Sequence, residues 1–524
     1  MANKLFIFAI GGTGERVLRS FTMALASGAP TFNNYDVYPI IIDYDESNAD
    51  KLRTMGLLQN YAQIHNAAFS HHIDRRANQF FGPKLYNLEG LDNYVFPFRP
   101  ATKDEKFREY IGFDNLVGDT LKTKELLTTL YDQSNRPDTE LNLNMTVGFK
   151  GNPNIGSVVF HDIAETEEFR NFIGRYQPGN GDKVVVIGSL FGGTGASGIP
   201  EIVKAIHQRV ANAKIATILV LPYFAPAETE GGAIQSSRFN SKTKAALNYY
   251  QTSGIKEQID KIYYVGDPYP TVVKYSEGGG SQKNNANLVE FIASLMIEHY
   301  VANRDNQLKE FKFSLDADIT VNLNNQGAGQ RLYIKDFDPN VSKSYVLDYL
   351  GELAVGLKYF HEEVYSKNVS SQDFYRILKL DSAIGGLELS AMKNLCSGLD
   401  SFYTQYQSWL KELDWEGEGE AYPANSHRVA IYDMKCGDNY RNIIVENNAN
   451  NQQPVGTLEK VRRTFTSDNC IKANNITPKI NKCFTDKYFD TQRSDIKEGY
   501  SKVWVMADIL HCGSKEIFNE ITRG

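Results

Sequence analysis

Cysteine is scarce in this chain: five residues in 524, all in the last third (Cys396, Cys436, Cys470, Cys483, Cys512). None forms a C-x-x-C pair and the count is odd, which argues against a zinc site or a disulfide framework and for scattered reduced thiols. Long apolar runs are missing, so no membrane span is expected. The N-terminus runs into a core strand without a signal pattern, and the expected location is cytoplasmic. A dense basic block is also missing. With a formal net charge of −7, nucleic acid is not the expected main partner. The phosphate loop G-x-x-x-x-G-K-[ST] does not occur, so the chain is not a P-loop NTPase by sequence. No repeat of solenoid type is present.

What the chain does have is glycine in a particular place. Gly11-Gly12-Thr13-Gly14 follows the apolar run Leu5–Ile10, and Gly192-Gly193-Thr194-Gly195 follows Val184–Ile187. Each copy lies between an expected buried strand and an expected helix. A glycine turn there lets backbone N–H groups approach a phosphate, and the helix behind it adds partial positive charge. Two such turns suggest phosphates held from both sides.

The length implies two or three domains, and the 42% apolar content is that of a globular protein. Strands are expected at 5–10, 39–42, 183–188, 215–221 and 262–265, with helices after both glycine turns and over about 162–176. Alternation of that kind predicts a parallel sheet covered on both faces, with ligands at the carboxyl ends of its strands. Residues from about 50 to 140 read as an inserted helical region. A helix over 283–303 carries the apolar stripe Leu288, Phe291, Ile292, Leu295 and Met296. Beyond it, strands are expected at 311–323 and 331–334 and long helices at 342–366 and 371–413. The stretch Glu416–Glu420 reads as a polar linker.

Phe191–Gly198 resembles the signature loop of the tubulin/FtsZ superfamily, with Phe191 in place of the leading glycine and the last glycine shifted by one position. Other elements follow in that family's order over roughly residues 1–303. They are the first glycine turn, the loop Asp43–Asn48, Asn152-Pro153-Asn154-Ile155-Gly156, Pro222–Gly231 and the polar start of the 283–303 helix. The resemblance implies an α/β fold: a Rossmann-like parallel sheet in a GTPase-type domain (1–282), a central helix (283–303), a second α+β domain (304–415) and a C-terminal extension (416–524). It implies GTP or GDP held by Gly11, Gly12, Thr13, Gly14, Asn152, Gly192, Gly193, Thr194, Gly195 and Ser197. Glu230 is implied for ribose and Asn287 for the base. Asp43 also belongs to this set, and with Asp45 it is the implied holder of Mg²⁺, which favours oxygen ligands. The implied partner is a second copy of the chain, head to tail in a filament, with the water-activating acid supplied by the neighbour. Asp316 and Asp318 are the nearest match for that acid, with no preceding glycine and the second acid displaced.

Plainer roles stand beside these. Glycines after strands also serve tight packing. Asp43 and Asn287 also suit helix caps, and Asp316 and Asp318 a solvated strand edge. His71-His72 with Asp74 lacks a third metal ligand. Two other functions fit parts of the chain: a non-polymerising nucleotide-binding scaffold for another protein, and an NAD(P) oxidoreductase using Gly12-Thr13-Gly14 with Asp43.

Overall fold

The computed structural model describes residues 2–45, 47–70, 72–97, 106–131, 140–145, 148–149, 151–226, 238–267, 271–273, 279–281, 283–302, 308–313, 330–332, 346–365, 386–413, 427–430, 444–447 and 473–523. Among them, seven strands form one sheet: β1 (Asn3–Ile10), β2 (Tyr35–Ile42), β3 (Lys183–Ser189), β4 (Ile215–Val220), β5 (Lys261–Val265), β6 (Glu310–Phe313) and β7 (Gln330–Leu332). Their order is β2-β1-β3-β4-β5-β6-β7, and every neighbouring pair is parallel. The fold is α/β with a Rossmann-like sheet.

The strand sequences explain the covering of both faces. Leu5 to Ile10 and Val184 to Ile187 are apolar without interruption and fully buried, a pattern that only a sheet covered on two sides accommodates. Side chains alternate between faces along each strand. Leu5, Ile7, Ala9, Val185 and Ile187 pack against α1 (Gly11–Ala26) and, further on, α5 (Leu288–Val301). Phe6, Phe8, Ile10, Val184 and Val186 face α3 (Pro153–His161) and α4 (Gly193–Arg209). The second face is aromatic: Phe6 and Phe8 both meet the edge of Phe172 at 5.0 Å between ring centres.

The first face continues into the rest of the chain. α2 (Ala49–Phe69), α6 (Val346–Tyr359), α7 (Gly386–Leu413), α8 (Ala473–Lys487) and α9 (Lys502–Arg523) share one hydrophobic core with α1 and α5. Beyond residue 304, β6 and β7 extend the same sheet, and the first-face core includes residues on both sides of that position.

The 50–140 stretch is likewise built in. α2 belongs to the first-face core, and Leu85 and Val95 bridge to Val37 and Ile41 of β2. The expected 162–176 helix is interrupted at Thr166, whose hydroxyl caps the helix Glu167–Arg175 by accepting from Phe169 N at 3.2 Å. The expected strand at 311–323 is seen as Glu310–Phe313, and residues 314–323 lie outside the described residues. No helix among the described residues is long and apolar enough to cross a membrane.

Candidate functional site: convergent glycine turns beside a buried charge network

Three loops meet at the carboxyl ends of β1 and β3. Gly11 leaves β1 with φ +67°, and a methyl group on it would lie 3.2 Å from Thr194 Cβ. The two glycine turns are therefore in direct contact, side by side. The third loop, at Gly151 and Asn152, packs on the second turn: a methyl group on Gly193 would lie 3.0 Å from Gly151 N and 3.1 Å from Asn152 N.

Gly14 and Gly195 have a packing role. A methyl group on Gly14 would lie 2.7 Å from Ala9 C and 2.9 Å from Ile187 O, and one on Gly195 2.6 Å from Ser189 N and O. They bring α1 and α4 down onto the sheet backbone. The packing reading of these two glycines thus holds, while Gly12, Gly192 and Thr194 are the partly exposed members of the turns.

Neither α1 nor α4 has a side-chain cap. Their first N–H groups have no partner within the helix, so two partial positive charges converge on one spot. Asn152 sits at the N-cap of α3 without a side-chain cap bond and is partly exposed. Ser197 differs from its expected part: its hydroxyl donates back to Gly193 O at 2.7 Å and Thr194 O at 3.1 Å inside α4.

Behind the first turn lies a buried charge network. Arg16, 3% exposed, donates through Nε to Glu290 Oε1 at 2.6 Å. Its Nη1 donates to Asp50 Oδ2 at 2.9 Å, and its Nη2 to the Tyr223 hydroxyl at 2.7 Å. Tyr223 donates in turn to Glu290 at 2.6 Å. Arg53 pairs with Asp50 and, at 3.3 Å, with Glu412. Arg19 grips Glu412 with two bonds of 2.6 and 3.0 Å. Burial pushes the Glu412 carboxyl up, but Arg19 and then Arg53 outweigh it and hold the group below its ordinary range.

Glu15 is the exception. It is fully buried, and neither carboxylate oxygen has a hydrogen-bond partner among the described residues. Burial pushes its carboxyl well above the ordinary range, and nearby Asp43 adds to the effect. Burial raises Asp43 as well, against the pull of the Lys51 ammonium.

Asp43 and Asp45 are both buried and close their own loop. Asp43 accepts from Asp45 N and from Asn48 Nδ2, both at 3.2 Å. Asp45 accepts from Ser47 N at 3.0 Å and Gly279 N at 2.5 Å. Each Asp43 oxygen accepts one N–H group and keeps a further lone pair. Among the described residues, no group of three or more His, Cys, Asp or Glu side chains is placed to hold a metal ion.

Asn287 caps α5. It accepts from Val289 N at 2.9 Å, while Glu290 accepts from Asn287 N at 3.0 Å, a capping box. That cap is why the central helix begins at Leu288 rather than near 283. Glu230, Asp316 and Asp318 lie outside the described residues.

Sequence reasoning missed Lys242. Its ammonium donates to Gly151 O at 2.6 Å, in the loop that covers the second glycine turn. Burial, with Arg238 nearby, pulls its pKa down. It is a cation within reach of the convergent helix ends, and a lone lysine in a polar helix gives no sequence signal of that position.

No protein-family model matches this chain, and no curated protein does. Among solved structures, the chain is similar to CetZ from Methanosaeta thermophila strain DSM 6194, at 16% sequence identity and a TM-score of 0.27. The match covers 58% of this chain and 53% of that one, so it spans about half the length of that structure.

Proposed function

We propose that the chain binds a guanine nucleotide, GTP or GDP, by its phosphates at the convergent turns, and that binding drives head-to-tail self-assembly. The observation that carries the reading is the meeting of Gly11–Gly14, Gly148–Asn152 and Gly192–Gly195 at the carboxyl end of a parallel sheet, with two uncapped helix N-termini and Lys242 beside them. Charge-assisted hydrogen bonds of about 1.5–3 kcal/mol each, made by a few such donors, give micromolar affinity. The guanine assignment rests on the motif order shared with the tubulin/FtsZ superfamily. Mg²⁺ accompanying the nucleotide would be held by Asp43 and Asp45, the buried carboxylates of the loop after β2. Hydrolysis to GDP and phosphate, with Asp316 or Asp318 of a neighbouring copy as the acid, belongs to the assembly part of the proposal.

The test is to denature the pure protein and identify what it releases. Guanine nucleotide supports the reading, whereas NAD(P) without guanine-nucleotide binding overturns it in favour of an oxidoreductase. Lys242→Ala lowers GTP affinity about 10-fold by calorimetric titration, as loss of one charge-assisted contact implies. One observation favours the scaffold alternative: the helix Leu121–Tyr131 buries none of its described side chains, with Leu126 58% and Leu130 51% exposed, a surface suited to another protein. Sedimentation with GTP separates the two, because a scaffold yields no pelleted polymer at any protein concentration.

A further inference from the structure

The helices α8 and α9 form a hairpin joined through a short antiparallel pair, Phe489–Asp490 with Asp495–Ile496. They approach most tightly at Gly513, where a methyl group would lie 3.3 Å from both Cα and N of Ile480. A residue without a side chain lets the two backbones come that near. Cys512 adjoins Gly513, and Cys483 lies about one turn beyond Ile480. The two thiols come near each other across this crossing, close enough to act on each other's ionisation. Cys483 is buried, and Cys512 is half-buried at the edge of the same core.

Lys487 follows Cys483 by one turn. Its ammonium lies 3.7 Å from Asp508 Oδ2 and acts on the charge of the Cys512 sulfur. Asp508 is itself fixed by Gln79 Nε2 at 2.6 Å and by the Tyr488 hydroxyl, so the lysine is kept beside the thiol. The Cys483 S–H and then the Lys487 ammonium favour a thiolate on Cys512 and pull its pKa down, while Cys483 is pushed up. Cys396, on α7, shows the contrast: burial alone pushes its thiol up to about 12.

We propose that Cys483 and Cys512 form a reversible redox-modification site at which a peroxide closes a disulfide that clamps α8 to α9. The Cys512 thiolate attacks the peroxide O–O bond, forming an S–O bond and releasing hydroxide. Cys483 then attacks the sulfenic sulfur, the S–S bond forms, and the hydroxyl leaves as water with the Cys483 proton. Two thiols lose two electrons and one peroxide becomes two waters. A dithiol reductant reverses the step. The site lies on helices that contribute nothing to the glycine turns, and it stands whether or not these bind a nucleotide.

The test uses the full chain carrying Cys436→Ser and Cys470→Ser, so that only Cys396, Cys483 and Cys512 remain. With stoichiometric hydrogen peroxide, peptide mapping is expected to find a Cys483–Cys512 cross-link lighter by two hydrogens, Cys396 still alkylatable, and full recovery with dithiothreitol. Before oxidation, Cys512 is expected to react with iodoacetamide at neutral pH at least about 10-fold faster than Cys396. Adding Cys483→Ala leaves Cys512 as a sulfenic acid trapped by dimedone. Cys512 going to sulfinic acid with Cys483 still free, or equal alkylation of Cys396 and Cys512, overturns the proposal. Both readouts exist in the chain that keeps Cys483, so poor folding of the Cys483→Ala variant does not block the test.

Discussion

Glu15 and Arg16 are neighbours on α1, both buried and both charged by type, and their surroundings treat them oppositely. Arg16 reaches Asp50, Glu290, Tyr223 and Thr13. Glu15 has an unpaired carboxylate with Asp43 nearby. One side of the helix is thus a completed ion network, and the other holds two buried acids, Glu15 and Asp43, with the Lys51 ammonium as a nearby cation. A buried charge is tolerable when paired and costly when not. The difference marks the Glu15 side as the place where α1 gives up stability, a few residues from the turns proposed to hold phosphate.

The largest expected effect breaks the favourable side. Arg16→Ala leaves Glu290 and Asp50 facing each other without their common cation, and destabilises the fold by about 3–5 kcal/mol in urea unfolding. A loss under 1 kcal/mol would mean the network is solvated and the comparison is void.

The next effect extends the contrast along the pH axis. His65 Nδ1 donates to Phe81 O at 2.8 Å in a buried site, and burial pulls its pKa from 6.5 to about 4. His511, against the edge of Phe80, is lowered to about 4 by burial as well. The folded pKa lies below the unfolded one, so each contributes stability that is present above pH 6.5 and is lost as pH falls toward 4. By pH 5 the loss is about 2 kcal/mol for each. His65→Gln is expected to remove its share of this slope in melts taken between pH 7 and pH 5; an unchanged slope refutes it.

Glu15 has the opposite sign and a smaller effect. Its folded pKa is raised, so its contribution is present below the unfolded value near 4.5 and is lost as pH rises through the folded value. Glu15→Gln keeps the shape and removes the charge. It is expected to stabilise the free protein by about 1–2 kcal/mol at pH 8, with the gain shrinking on acidification. Destabilisation at pH 8 would show that Glu15 has a partner after all.

The sheet was legible in the sequence because β1, β3 and β4 are apolar runs bounded by turns, a pattern that short-range reasoning reads well. The tight turns were legible for the same reason. The charge network was not, because Arg16 meets its partners 34, 207 and 274 residues away, and a charged pair after a glycine turn reads as surface. Asn287 shows the middle case. Its polar position at the head of a helix was visible, but the capping box with Glu290 sets the helix start at Leu288, the first residue of the apolar stripe and five residues after the expected start at 283. Ser197 stands among the residues implied to hold the nucleotide, and nothing in its sequence neighbours signals that its hydroxyl bonds back into its own helix.

The spread of these partners has a consequence in time. A chain made at roughly 5–20 residues per second presents Arg19 some 20–80 s before its partner Glu412, 393 residues later, leaves the ribosome. Through that interval α1 carries arginines whose buried places are not yet built. The first glycine turn is thus synthesised hundreds of residues before the network that supports it is completed.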